Sequence, residues 1–170
     1  MSIILGVDAG LAAIGYGIIR AEGNKHFHVV HGMITTEPGG NEGSRLLAIH
    51  QQLEKIIEQY RPDEAGVETL YFTKNVKTAL PVAEARGVIL VTLAKQMIPS
   101  HGYTPLEVKQ AVVGSGRAEK RQIQEMVRLI LGLKEHPKPH HAADALAIAI
   151  CHYHYSHRSR ILAQERKYFV

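Results

Sequence analysis

A chain of 170 residues with 45% hydrophobic and 21% charged side chains has the size and composition of a single globular domain with a substantial core. Its one cysteine, Cys151, excludes an internal disulfide framework and fits a reducing compartment. A formal net charge of +4 is too small to demand a polyanionic partner, and no run of about 18 apolar residues is available for a membrane helix.

The run Ile3-Ile4-Leu5-Gly6-Val7-Asp8 reads as a buried strand. Ala9-Gly10 makes a turn, Gly15 to Arg20 a second strand and Phe27 to Thr35 a third, together an antiparallel meander. Residues 37–43 form a loop. Ser44 is expected to cap a helix running to about Tyr60, with Leu46, Leu47, Leu53, Ile56 and Ile57 on its apolar side. Arg61-Pro62-Asp63 stops it, and a fourth strand at 64–69 carries Glu68. A helix from about Thr78 to Met97 is apolar on nearly every side, which places it centrally or against another subunit. Pro81 then belongs in its first turn.

A short fifth strand falls at His101-Gly102-Tyr103. Thr104-Pro105-Leu106-Glu107 is a capping box with Pro at the first helical position, so a helix runs from there to Val113. Gly114-Ser115-Gly116 separates it from a helix at about 118–131, which Gly132 ends. After Pro137 and Pro139 the last helix spans about His140 to His154, with Cys151 packed on it as an inert thiol. Residues 1–155 therefore make one α/β domain, a mixed five-stranded sheet flanked by helices, and 156–170 are expected as a flexible basic tail. The N-terminus has neither the basic segment nor the cleavage site of a signal peptide, so a cytoplasmic protein is expected.

Three acids stand in unfavourable places. Asp8 ends the first apolar run, Asp144 interrupts Ala142-Ala143-Asp144-Ala145-Leu146-Ala147-Ile148, and Glu68 closes Ala65-Gly66-Val67-Glu68. A carboxylate in such a setting is costly unless it is paired, hydrogen-bonded or bound to metal. Their convergence would make an oxygen-donor site for hard divalent cations. Asp8 and Glu68 become neighbours if strands one and four pair. His141 and Asp144, three apart on a helix, share a face. The four side chains together suit two divalent ions about 3.5–4 Å apart, which clamp the attacking and leaving oxygens of a phosphodiester.

The basic residues gather as Lys109, Arg117, Lys120, Arg121 and Arg128, and again as Arg158, Arg160, Arg166 and Lys167. Basic patches beside an acidic pocket are what a nuclease needs: phosphates are drawn in and then meet metal. Lys109 and Lys120 flank Gly114-Ser115-Gly116, a joint that can offer backbone N–H and ammonium groups to phosphate. It is not a Walker A loop. His152, His154 and His157 lack the cysteines and spacing of a closed zinc site and read as an exposed or frayed helix end. His140 is expected to face solvent.

The ordered set Gly6-Val7-Asp8-Ala9-Gly10, Gly15-Tyr16-Gly17-Ile18, Val67-Glu68, Lys74-Asn75-Val76-Lys77-Thr78-Ala79, Glu84-Ala85-Arg86-Gly87, Val108-Lys109-Gln110-Ala111-Val112-Val113-Gly114, Ala118-Glu119-Lys120 and His141-Ala142-Ala143-Asp144-Ala145-Leu146-Ala147-Ile148-Ala149 resembles the RuvC family of Holliday-junction resolvases over about residues 2–155. The resemblance implies a ribonuclease-H-like fold and a homodimeric, metal-dependent endonuclease that cuts four-way DNA junctions symmetrically, working with RuvA and RuvB. It implies Mg²⁺ as cofactor, two ions per subunit, with Mn²⁺ substituting. It assigns Asp8, Glu68 and Asp144 as metal-binding acids and His141 as the fourth site position, where most members carry Asp and a minority His. It also assigns Lys109 and Lys120 as functional basic positions. Tyr71 is assigned to stacking on a base near the cut, with Phe72, Lys74 and Lys77 close by to meet DNA. His141 removes one negative charge from the site and suits Mn²⁺ better than Mg²⁺, or else handles the proton of the nucleophilic water. Because an ordinary imidazole protonates near pH 6.5, a working histidine there implies activity that falls below about that pH. Ala9 replaces the usual Pro and should only loosen the turn after Asp8.

Two other classes compete. Asp8-Ala9-Gly10 followed by Gly15-Tyr16-Gly17-Ile18-Ile19 also resembles the phosphate hairpin of actin-like sugar kinases, which need two such domains and an adenosine pocket. A catalytically weakened junction-binding module would explain His141 and Ala9 as decay, but retention of all three acids argues against it.

Overall fold

The computed structural model describes residues 1–9, 13–37, 41–69 and 76–166, with 76–78 and 158–166 described by backbone alone. Ser2–Ala9 (β1), Ala13–Glu22 (β2) and Lys25–Thr35 (β3) form the expected antiparallel meander, and Glu64–Glu68 (β4) and Ser100–Tyr103 (β5) extend it in parallel on the other side of β1. The order β3-β2-β1-β4-β5 puts β1 at the centre. A central strand has both faces covered, which is why its sequence is a continuous apolar run rather than an alternating one.

The helices are Glu42–Tyr60 (α1), Val76–Lys95 (α2), Pro105–Val113 (α3), Lys120–Ile130 (α4) and His140–Arg166 (α5). Leu5 and Val7 of β1 pack on one face with Leu53 and Ile57 of α1 and Ile89 and Leu93 of α2. Ile4 and Ile19 pack on the other with Leu146 and Ile150 of α5 and with α3 and α4. Alternation along β1 therefore sends Ile4, Gly6 and Asp8 toward α5, and Leu5 and Val7 away from it.

α5 crosses the sheet with its backbone almost in contact with β1 and β2. A Cβ placed on Gly6 would overlap the Ala145 carbonyl, and one on Gly15 the His141 carbonyl. Gly17 would meet Leu146. These glycines permit the close approach that brings the first turn of α5 over the end of β1.

Several boundaries differ from the sequence reading. Asn41, not Ser44, caps α1: its Oδ1 accepts from the Gly43 N–H at 2.8 Å, and Glu42 opens the helix where an acid suits the dipole. α2 begins at Val76, so Pro81 sits inside the helix beyond its first turn. The capping box of α3 is present, with Thr104 N–H donating to Glu107 at 2.7 Å and Glu107 N–H to the Thr104 hydroxyl at 3.2 Å. α5 continues to Arg166, so 156–166, expected as part of a flexible tail, is helical. That stretch holds no Gly or Pro and ends in Leu162-Ala163-Gln164-Glu165-Arg166, all good helix formers.

Replacing Gly15 by Ala tests the backbone contact. Its methyl meets main chain, which cannot rotate away, so Gly15→Ala should lower stability by about 1–3 kcal/mol or more in denaturant unfolding. A variant as stable as the parent would refute the packing described for α5.

Candidate active site

β1 delivers Asp8 to the α5 face, where its residue is only 6% exposed. The parallel pairing of β1 with β4 runs Gly6↔Gly66 and Val7↔Val67, which brings Glu68 beside Asp8 one step further on. The first turn of α5 lies above both. His141 Nδ1 stands 2.7 Å from Asp8 Oδ2. Donor atoms of Asp8, His141 and Asp144 all fall within 4.8 Å of one another, the one such group of three among the described residues. Glu68 completes the cluster through a hydrogen bond to Asp8.

Crowding these carboxyls has a measurable consequence. Glu68 is pushed from 4.5 up to about 8, first by burial, then by its hydrogen bond to Asp8 and by the negative charges of Asp8 and Asp144; Lys120 pulls weakly the other way. Near neutral pH the ion-free site therefore keeps a proton on Glu68. Two or more carboxylates and an imidazole converging in a partly dry cup fit a divalent cation, which would replace that proton as the neutralising charge.

A cavity of about 250 Å³ opens beside the acids, lined by Glu68, Asp144, Lys109 and Lys120 with apolar walls from Val108 and Ile123. Both lysines singled out in the sequence face this space. Lys120, the first residue of α4, donates to Asp144 Oδ2 at 2.9 Å. The sequence reading aimed it at phosphate and missed this ion pair, which joins residues far apart along the chain.

Tyr71, Phe72 and Lys74 lie outside the described residues, as does the side chain of Lys77. Arg86 on α2, to which the sequence motif gives no role, supports the site: its Nε donates to the Glu68 carbonyl at 3.0 Å. The available signal was the one guanidinium on a largely apolar helix. His140 is exposed, as expected, and its Nδ1 accepts from Gln124 at 2.8 Å.

Of the late histidines, read as an exposed or frayed helix end, His154 is exposed but His152 is not, and the helix continues past them. His152 is 5% exposed and bridges the Tyr103 hydroxyl at 3.0 Å and Glu64 at 3.2 Å. His154 donates through Nδ1 to the Ala111 carbonyl at 3.2 Å, and the His157 ring stacks on Tyr153. Cys151 is buried, and burial raises its thiol to about 12, so it is inert at neutral pH. Among the described residues no helix is long and apolar enough to cross a membrane.

A mixed five-stranded sheet of this order, with acids gathered at the end of its central strand beneath the first turn of the last helix, defines a ribonuclease-H-like nuclease. The family model for crossover junction endodeoxyribonuclease RuvC matches residues 4–152. The RuvC of Treponema denticola is 53% identical over 147 residues, covering 86% of this chain and 83% of that one. The RuvC of Ruminiclostridium cellulolyticum is 48% identical over 164 residues, covering 96% and 99%. Thermus thermophilus RuvC superposes with a TM-score of 0.86 at 35% identity, over 92% of this chain and 96% of that one. The same protein in complex with Holliday junction substrate gives 0.89 at 34% identity, over 94% and 97%. The chain belongs to the RuvC family of endodeoxyribonucleases.

Glu68 yields a pH prediction for the ion-free protein. Its folded value lies above its ordinary one, so it binds its proton more tightly folded than unfolded. That contribution is complete below about 4.5 and is lost as pH rises to about 8, a difference on the order of a few kcal/mol. Thermal unfolding in chelator should therefore show Glu68→Gln gaining stability over the parent as pH rises through this window. Parallel curves for the two proteins would count against the buried, proton-binding Glu68.

Proposed function

We propose that this protein cuts four-way DNA junctions by hydrolysis at the cup formed by Asp8, Glu68, His141 and Asp144, with Mg²⁺ as the working ion, two per subunit, and Mn²⁺ able to substitute. The observation that carries the reading is the convergence of Asp8, His141 and Asp144 donor atoms within 4.8 Å of one another, with Glu68 beside Asp8 and its proton affinity raised by that crowding. Bound divalent ions would neutralise the scissile phosphate and activate the attacking water.

The residues divide the remaining work. Asp8, the most buried acid, sits between Glu68 and His141 and would help hold the ions. Glu68, once deprotonated, would supply a further carboxylate to a bound cation. With Asp8 Oδ2 accepting from His141 Nδ1–H, Nε2 is left as the nitrogen carrying the lone pair. With its side chain 47% exposed, His141 is open to the water it would orient or deprotonate. Lys120 exchanges Asp144 for an incoming phosphate oxygen, and Lys109, lining the same cavity, binds the neighbouring phosphate. Tyr71, Phe72 and Lys74 belong to the stretch between Glu68 and α2, Lys77 to the first turn of α2, and all four are assigned to junction contact. The products are a 3′-hydroxyl and a 5′-phosphate.

A two-fold junction calls for two equivalent sites, hence a homodimer. Leu80 and Val91 of α2, 56% and 66% exposed, support that helix as the subunit contact. RuvA and RuvB are the proposed partners, in the cytoplasm.

Cleavage of a synthetic mobile four-way junction tests the reading. The parent should nick it symmetrically in Mg²⁺ or Mn²⁺, and Asp8→Asn should bind it without cutting. Unimpaired cutting by Asp8→Asn would remove the cup from the mechanism. His141→Ala should slow cutting by about 10²–10⁴-fold, while His141→Asp should keep activity, favour Mg²⁺ over Mn²⁺ and lose the acid-side decline. If His141→Ala cuts at the parental rate, the histidine has no part in the chemistry.

A further inference from the structure

β3 is an edge strand, paired only with β2. Pairing runs from Ile18↔Val30 directly to Ile19↔His28, so Val29 is an extra residue in a β-bulge. In an unbroken strand residues 28 and 31 would point to opposite faces. The bulge absorbs one residue and turns both histidines to the α5 side, His28 opposite Ile19 and His31 opposite Gly17. Their rings meet there: His28 Nε2 lies 2.7 Å from His31 Nδ1, with centroids 4.9 Å apart and planes at 64°.

Both side chains are partly buried, so water reaches the pair without filling it. Burial, and then the neighbouring His31, lower the proton affinity of His28. That favours the neutral form of His28, which offers a lone pair rather than charge. His26 shares this face but is taken up by edge contacts with Tyr153 and His154, at 5.2 and 5.1 Å between centroids.

We propose that His28 and His31 form a second metal site, outside the acidic cup, for a borderline first-row cation such as Cu²⁺, Ni²⁺ or Zn²⁺. Imidazole is the preferred donor for these ions, and without a carboxylate the pair has no claim on Mg²⁺. Metal–nitrogen bonds of about 2.0–2.1 Å put two nitrogens on one ion at roughly 2.9–3.4 Å from each other. The present separation of 2.7 Å needs only a few tenths of an ångström and a turn of each ring. The ring that now donates moves its proton to its other nitrogen, so both facing nitrogens coordinate and no proton is lost overall. Water fills the remaining positions. The bulge is the device that builds the site: without it the two imidazoles cannot share a face.

Copper titration of the Mg²⁺-saturated protein, followed by electron paramagnetic resonance, reads the site directly. The parent should bind one Cu²⁺ per chain with hyperfine structure from two imidazole nitrogens. His28→Gln and His31→Gln should each weaken that binding at least about tenfold, since one imidazole is then left. Both should cut junctions in Mg²⁺ at the parental rate. The cup can supply only one imidazole, His141. A one-nitrogen signal abolished by His141→Asp, a two-nitrogen signal that survives both His28→Gln and His31→Gln, or no stoichiometric copper at all would each overturn the proposal. The parental spectrum needs no variant, so a substitution that impairs folding does not shield the idea.

Discussion

The closeness of the α5 backbone to the backbones of β1 and β2 is the constraint on which the site depends. Gly6, Gly15 and Gly17 have no side chain to hold the helix off, and α5 answers with Ala142, Ala143, Ala145, Ala147 and Ala149, all buried. Small residues on both surfaces let main chain approach main chain, as they do wherever helices must sit deep. A helix at ordinary side-chain distance would carry His141 and Asp144 several ångströms above Asp8, too far for a 2.7 Å contact. The glycines and alanines are thus as much a part of the site's construction as the acids.

Packing of this kind forces the acids into one another's field. Asp8 sits at the end of a buried strand, and Glu68 arrives beside it through the β1–β4 register. Burial weakens the solvation that would otherwise screen them. The structure meets the excess charge in two ways, with a proton held by Glu68 and with the Lys120 ammonium on Asp144. Both are displaceable. A cation that binds the folded state and not the unfolded chain stabilises the fold in proportion to its occupancy, so stability and catalytic readiness are linked through the same ion.

How much of this could be read from the sequence follows from how local each cause is. Asp8, Glu68 and Asp144 were legible because a carboxylate inside an apolar run has few physical explanations. The α3 capping box was legible because its partners are three residues apart. Asn41 and Ser44 were both adequate caps for α1, and local sequence does not rank them strongly. The end of α5 was placed too early because its polar, basic composition resembles a tail, whereas its residues are good helix formers. The Lys120–Asp144 pair, the His152 bridge and the His28–His31 contact each join elements or registers that only the folded chain brings together. A bulge in particular leaves no mark in one strand's sequence, since it is defined by the strand opposite.

The position of Glu68 is held as firmly as its chemistry is strained. Its carbonyl accepts from Arg86 on α2 at 3.0 Å, and the next N–H, that of Thr69, donates to the Tyr103 carbonyl of β5 at 2.8 Å. Gly102, opposite Val67, leaves room for this: a Cβ there would press on Thr69 and come within 3.3 Å of the Arg86 guanidinium. At the other end of β4, Glu64 is tied to His152 on α5. Strand β4 is therefore anchored to both layers of helices. Glu68 cannot relieve its repulsion from Asp8 by moving its backbone, and only a change of charge remains: a proton, a lysine or a metal ion. Rigid support around a mutually repelling set of acids is what turns an unfavourable arrangement into a binding site, because the energy released on neutralisation is not first dissipated by relaxation of the fold.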